Sequence, residues 1–429
     1  RNKGSWQFED ITDQAGVACR GWRLSGAVFA DVDADGDLDL ILTSLLDCRN
    51  FLFLNDGRGK FTESYKAGWV NNTRGGSVAA VLADIDGDGD LDMYTPCFTK
   101  NFIHEELDEK EKARILRLGL DANREGRIPP DIFFKYFEVI PKSQTYDPLK
   151  GGPVKNGIVQ AYLTDQLYIN DGRGGFTAVS DADQRFLDFK GRPVKRPRDP
   201  SHEAAFRDVD GDGDPDLYVT SDFGPPDRFW LNNGKGIFQE VHPLAIRRTS
   251  WFSMGLDFTD LNRDGHLDII TVDMLSRWHK RRKTQMGFMQ PTEVGIGLIA
   301  NRPQIMQNTL QLNRGDGTWT EIAQYSGIKA TEWSWGLAMS DVDLDGYEDL
   351  IVATGMTRDF MDSDAKAAIE KSGRSSNKLE DLLVTRTWYP KLSAQNMLFR
   401  NKGDLTFEFK STEWGFDTKQ VSGGLAQAD

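Results

Sequence analysis

The 429-residue chain is poor in cysteine: Cys19, Cys48 and Cys97 allow at most one bridge and exclude a disulfide-dense scaffold. No apolar run approaches the length of a membrane-spanning helix. No signal peptide is present; a mature chain starting at Arg1 after export would look like this, and an extracellular, cell-surface or periplasmic location is the expectation. Histidine is also scarce, and none of His104, His202, His242, His266 and His279 sits in a two-histidine metal motif. There is no nucleophile elbow and no glycine-rich phosphate cradle. No aromatic-interleaved basic surface continues beyond one short run, which argues against nucleic acid.

What the chain has in excess is aspartate, and the aspartate is patterned. "DVDADGDLDLILTS" places Asp31, Asp33, Asp35, Asp37 and Asp39 on alternate positions and then turns into a β-branched, apolar run. Carboxylates so close together repel one another and disfavour a compact state unless a cation holds them. Ca²⁺ takes six to eight oxygen ligands, which a short loop supplies from alternate residues when a glycine permits a sharp turn. Asp31, Asp33 and Asp35 would give side-chain oxygens, Asp37 its backbone carbonyl, and Asp39 would close the site. An EF-hand loop closes later, with a Glu, and is flanked by helices; this one closes at its ninth position and runs into a strand.

The pattern returns four times, with Asp84, Asp86, Asp88, Asp90 and Asp92; Asp208, Asp210, Asp212, Asp214 and Asp216; Asp260, Asn262, Asp264, His266 and Asp268; and Asp341, Asp343, Asp345, Tyr347 and Asp349. Positions one, five and nine are Asp in all five loops. Position seven is Asp, His or Tyr, which is tolerable only if that residue contributes its backbone. Five Ca²⁺ ions would contribute about +10 and leave roughly −4 of the formal −14, so the acidity argues for metal rather than for basic partners.

Each loop is preceded by a strand led by small residues and followed by a strand, a connection and a hairpin: "NFLFLNDGRGKFTE", "DQLYINDGRGGFTA", "DRFWLNNGKGIFQE", "NTLQLNRGDGTWTE" and "NMLFRNKGDLTFEF". Repetition of a four-stranded antiparallel unit is the mark of an all-β propeller. The repeats span about 24–66, 76–180, 203–242, 253–324 and 334–412, and 422–429 begins another. "WQFEDITDQAGV" at 6–17 matches the last strand of a blade. The expectation is a single propeller domain of about seven blades, five of them complete here, with partly helical insertions.

These motifs resemble FG-GAP/VCBS repeats, the blades of the integrin α-subunit propeller. With "TEWSWG" and "TGMTRDFMD" the chain is also similar to the cartilage acidic protein and UnbV (ASPIC/UnbV) family of secreted propellers. The resemblance implies a calcium-binding, extracellular module, with cell adhesion among the functions such modules serve.

Because strands alternate in direction, the acidic loops and hairpin turns share one face. The insertions at 97–164, 274–307 and 356–395 lie on the other, where long loops carry function. The links between blades hold Trp22, Arg23, Trp69, Arg74, Arg248, Trp251, Trp333 and Trp335, suited to an anionic or carbohydrate ligand, although propeller tryptophans also pack between blades. The first insertion contains an amphipathic helix and, over 121–132, an EF-hand-like opening that lacks the closing Glu and reads as a metal-free helical hairpin. The second contains "RWHKRRK" (277–283), a basic run that reads as a solvated face with an anionic polysaccharide or acidic protein as its target. Asn71-Asn72-Thr73 is a glycosylation sequon. Two functions are expected: a secreted, calcium-stabilised binding module for a glycan or protein, or a carbohydrate-active enzyme of the polysaccharide lyase or dehydratase type.

Overall fold

The computed structural model describes residues 1–5, 7–44, 49–65, 76–98, 107–124, 130–139, 146–147, 152–153, 158–160, 163–196, 198–223, 225–285, 303–374 and 379–426. Cys48, Trp69, Arg74 and the Asn71-Asn72-Thr73 sequon fall outside them. Cys19 is a free thiol.

The repeat written in the sequence folds as a repeat. Strands Leu24–Ala30, Asp39–Ser44, Phe51–Asn55 and Phe61–Glu63 form an antiparallel meander. The second blade is Val81–Ala83, Asp92–Thr95, Gln166–Asn170 and Phe176–Ala178, and the third Ser201–Arg207, Asp216–Ser221, Arg228–Asn232 and Phe238–Glu240. The fourth is Gly255–Thr259, Asp268–Val272, Thr309–Asn313 and Trp319–Glu321; the fifth is Ser334–Ser340, Asp349–Thr354, Met397–Asn401 and Phe407–Phe409. A short strand, Phe186–Leu187, joins the third sheet parallel to its outer strand. The fold is an all-β propeller of five four-stranded blades.

Every second strand begins at the last aspartate of its acidic loop and is buried on both faces, which explains its unbroken apolar run. Its alternate residues serve different neighbours. Met93 joins Ile41, Leu52 and Tyr168 in the core between blades one and two, while Tyr94 joins Leu217, Trp230 and Phe238 between blades two and three. Between blades four and five, Ile270, Val272 and Leu310 meet Leu350, Val352 and Phe399. The chain packs as two compact units. One comprises Arg1–Asp208, Asp212–Val219 and Phe229–Glu240, the other Val209–Gly211, Thr220–Arg228 and Val241–Asp429.

The segment expected to be a blade's last strand at 6–17 instead forms a short helix, Thr12–Ala15, closed by Gly16 at φ 82°. The same turn, Ala323–Ser326 closed by Gly327 at φ 79°, follows the outer strand of blade four, so the segment does reproduce the end of a repeat. In the first insertion, helices Glu109–Arg124 and Asp131–Tyr136 pack through Ile115, Phe133 and Tyr136. Asp121 and Asn123 lie inside the first helix, not in a loop. Gly119 is needed there, because a Cβ would stand 2.0 Å from the Phe133 ring.

A polar contact recurs at the far end of each second strand. The Asn or Asp that opens the third strand accepts a backbone N–H from the end of the second: Asn50 from Ser44, Asp165 from Cys97, Asp227 from Ser221, Asn308 from Asp273 and Asn396 from Thr354. Its other side-chain atom meets a hydroxyl further along the chain: Ser77, Ser201, Ser253, Thr331 and Ser422 respectively. This is how 422 onward repeats the start of a blade. Asp165 also accepts the Tyr94 hydroxyl at 2.7 Å, and burial pushes its carboxyl up to about 7.

A raised folded-state value means that protonation favours the native state, and this contribution is lost as pH rises through about 7. Blades one, four and five use Asn at this place, so Asp165→Asn keeps the contact without the charge. We expect it to raise the melting temperature at pH 8 and to lose that advantage by pH 5. A melting-temperature difference that does not change with pH would contradict this account.

Candidate metal centres

All five acidic loops are built alike. The position-one carboxylate accepts the N–H of the position-six glycine or its equivalent, as in Gly36 to Asp31 at 3.0 Å, Gly89 to Asp84 at 3.0 Å, Gly213 to Asp208 at 3.0 Å, Gly265 to Asp260 at 2.9 Å and Gly346 to Asp341 at 2.8 Å. The position-five carboxylate accepts the N–H of position seven, from Asp37, Asp90, Asp214, His266 and Tyr347 in turn. These bonds curl the backbone so that the carboxylates converge.

Position nine is buried and has two fixed partners. Asp39 Oδ2 accepts from Val32 N at 3.1 Å and Oδ1 from Asn55 N at 2.8 Å. Asp92 does the same with Ile85 and Asn170, Asp268 with Leu261 and Asn313, and Asp349 with Val342 and Asn401. Asp216 accepts from Asn232 N at 2.9 Å. Burial raises the Asp39, Asp92, Asp268 and Asp349 carboxyls, Asp92 and Asp268 up to about 7, against the lowering effect of their backbone donors. Burial also raises Asp33 and Asp86, with neighbouring carboxylates adding to it. The loops thus concentrate negative charge that the protein alone only partly compensates.

Carboxylate oxygens of Asp31, Asp33 and Asp39 lie within 4.8 Å of one another, as do those of Asp208, Asp210 and Asp216, of Asp341, Asp343 and Asp349, and of Asp84, Asp86 and Asp88. Asp31 Oδ1, Asp33 Oδ1, Asp86 Oδ1 and Asn262 Oδ1 are buried oxygens without a hydrogen-bond donor. Position three therefore points an acceptor at nothing in loops one, two and four. An orphaned buried oxygen costs about 1–3 kcal/mol, and a cation at the centre of the loop removes that cost. The residues fit a metal ion of the hard, oxygen-seeking class.

The position-seven side chain points elsewhere. A Cβ on Gly57 would stand 2.3 Å from Asp37 Oδ2, and one on Gly172 or Gly234 would meet Asp90 or Asp214 at 2.5 or 2.6 Å. On Gly315 it would meet His266 Nε2 at 2.6 Å, and on Gly403 the Tyr347 ring at 2.9 Å. In each blade this side chain covers the hairpin-turn glycine, which is held at φ between 66° and 71°. Asp, His and Tyr all serve, because covering a glycine asks only for bulk.

The hairpin asparagine performs a second task that the sequence did not suggest. Its side-chain amide donates to the position-two carbonyl of the preceding blade's loop: Asn170 to Val32 at 2.9 Å, Asn232 to Ile85 at 2.8 Å, Asn313 to Val209 at 3.5 Å and Asn401 to Leu261 at 3.2 Å. The signal was the Asn found before every hairpin turn.

The residues expected to bind a ligand are dispersed in environment. Trp22 is 38% exposed, with its ring edge on Phe51 and the Arg49 guanidinium 5.1 Å from its centre. Arg23 is exposed; Arg248 pairs with Glu321 at 3.2 Å. Trp251 and Trp333 are buried, and Trp335 donates to the Gly355 carbonyl at 2.6 Å. The basic run is only partly solvated. Arg281 is held by Asp359 at 2.7 Å and by Glu332, Arg282 donates to the Ser276 carbonyl, and Arg277 stacks 4.5 Å from the centre of Phe409. Trp278, His279, Lys280 and Lys283 remain exposed.

A model of the FG-GAP-like repeat matches residues 31–95, 208–271 and 298–352. These segments are similar to the FG-GAP-like repeat. A search of curated protein sequences finds no match. Among solved structures, the chain is similar to an Agrocybe aegerita lectin described as recognising non-reducing terminal N-acetylglucosamine. The TM-score is 0.40 and the identity 16%, over 90% of this chain and 66% of that one. It is also similar to the V. cholerae biofilm matrix protein Bap1, with a TM-score of 0.34 and 10% identity over 78% of this chain and 36% of that one. At these scores neither likeness bears on function.

The geometry separates positions seven and nine. Asp39→Ala removes the acceptor of two buried N–H groups together with a member of the carboxylate cluster, and should cost about 2–4 kcal/mol, since each buried donor left unpaired carries its own desolvation penalty. Asp37→Ala should cost well under half of that, measured by thermal melting at saturating calcium. Equal costs would refute the division of roles.

Proposed function

We propose that the protein is a calcium-stabilised propeller that works outside the cytoplasm as a binding module for a glycan or protein partner. The observation that carries the calcium reading is the set of orphaned oxygens on Asp31, Asp33, Asp86 and Asn262 in the acidic loops. Positions one, three, five and nine would offer side-chain oxygens to the ion, and position seven its carbonyl. Bound calcium would neutralise the loop carboxylates and tie the two strands flanking each loop together. Among the described residues no helix is long and apolar enough to cross a membrane.

Binding is assigned to the insertions. Each leaves from the end of a second strand, and so from the end opposite that strand's acidic loop. The second and third insertions are anchored rather than loose. Arg281 of the second makes a two-point contact with Asp359 of the third and also pairs with Glu332 in the link before blade five. Glu332 sits at φ 82°, a left-handed conformation that costs a side-chain-bearing residue roughly 1–3 kcal/mol. The buried guanidinium that it faces offsets that strain. On this fixed base Trp278, Lys280, Lys283, Leu383 and Trp388 are exposed, a mixture of cations and apolar groups. Pre-ordering of this kind lowers the entropic cost of binding, and the lysines favour an anionic ligand.

Removing calcium with a chelator should lower the melting temperature by several degrees, because an ion bound only to the folded state stabilises by mass action. The double variant Lys280→Ala/Lys283→Ala should keep that response while losing about tenfold in affinity for a carboxylated or sulfated polysaccharide, with a weaker salt dependence. A chelator-insensitive melt would overturn the calcium reading. Unchanged binding by the double variant would overturn the assigned face. Turnover of the polysaccharide in the same assay would favour a carbohydrate-active enzyme.

A further inference from the structure

The fifth acidic loop differs from the others in one respect that its own sequence does not reveal. In blades one to four the residue before the hairpin asparagine is apolar: Leu54, Ile169, Leu231 and Leu312. In blade five it is Arg400. Its Nε lies 2.5 Å from Asp343 Oδ2 and its second terminal nitrogen 2.5 Å from Asp345 Oδ2. These are positions three and five of the loop. The guanidinium thus spans two of the carboxylates that would face a metal ion, and is itself held more firmly protonated by them. Position three carries an orphaned oxygen in loops one, two and four, whereas Asp343 is exposed and its Oδ2 is paired with Arg400.

A second cation approaches the same loop. The Arg263 guanidinium, from the preceding loop, lies 5.2 Å from the centre of the Tyr347 ring. A Cβ on Gly346 would stand 2.8 Å from its terminal nitrogen. In the second blade, by contrast, the cation paired with the position-three carboxylate is Arg185, at 3.8 Å from Asp86 Oδ2 and bonded to the carbonyls of Lys235 and Gly236.

We propose that Arg400 is a built-in counter-cation of the fifth loop, which makes this loop the weakest calcium site of the five and the least dependent on calcium for its fold. The inference rests on the calcium reading given above. Its physical basis is that site affinity in such loops follows the net ligand charge. A guanidinium sharing two carboxylates lowers that charge, and a divalent ion must enter against a fixed positive neighbour. The same ion pairs hold the loop together when calcium is absent, a task that the orphaned oxygens of loops one, two and four leave undone.

The test is calorimetric titration of the calcium-free full chain with calcium, for the parent and for Arg400→Leu, which installs the residue found at this place in blades one, three and four. Arg400→Gln serves as a second variant that keeps a polar side chain, and Lys402→Gln as a control on an exposed cation of the same hairpin. The parent should show one site about tenfold or more weaker than the rest. Both Arg400 variants should bring that site level with the others, and both should melt lower than the parent in chelator while matching it in calcium. The Lys402 control should behave as the parent. Uniform sites in the parent, or an unchanged weak site in both Arg400 variants, would overturn the proposal and leave the calcium reading standing. No calcium binding by any of the proteins would overturn both.

Discussion

Each blade depends on a buried aspartate that accepts backbone hydrogen bonds. At the ninth position of the loop one carboxylate oxygen takes an N–H from inside the loop and the other an N–H from the hairpin, as Asp39 does with Val32 and Asn55. One side chain thereby fixes the loop, the start of the second strand and the end of the third. Asparagine could not replace it, because its amide would set a donor against one of two backbone donors. Glutamate would carry the carboxylate past both. Burying a charge is costly unless it is hydrogen-bonded, and here the backbone itself supplies the bonds. That is a structural reason for Asp at position nine in all five loops, quite apart from any metal.

Much of this was legible in the sequence because the chain repeats itself. The alternation of aspartates, the buried second strands and the hairpins each recur five times, and variation among copies separates what a position requires from what it tolerates. The indifference of position seven is such a case: Asp37, His266 and Tyr347 share only the bulk that the glycine beneath them needs. What was not legible involves partners far apart in the chain. Asp165 and Ser201, or Asn232 and Ile85, cannot be paired from local pattern. The basic run read as a solvated face because its carboxylates, Glu332 and Asp359, come from other segments. Arg400 did stand out in principle, as a charge where four other blades place an aliphatic side chain.

The two ends of a blade are built on different principles. At the acidic-loop end the groups are carboxylates turned inward with unmet acceptors, a design that works with a cation. At the insertion end the residues that open the third strands are neutral amides, with Asp165 and Asp227 as exceptions, and they close their contacts on backbone and hydroxyl groups of the protein. The insertions thus grow from an end where these side chains are bonded to protein groups.

The hairpin asparagine gives the assembly a direction. Its amide reaches back to the loop of the blade before it, so each loop is braced by its successor and not by its predecessor. Loss of order in one blade withdraws this hydrogen bond from the loop before it and removes the acceptor of the asparagine after it, so the coupling between adjacent blades acts in both directions.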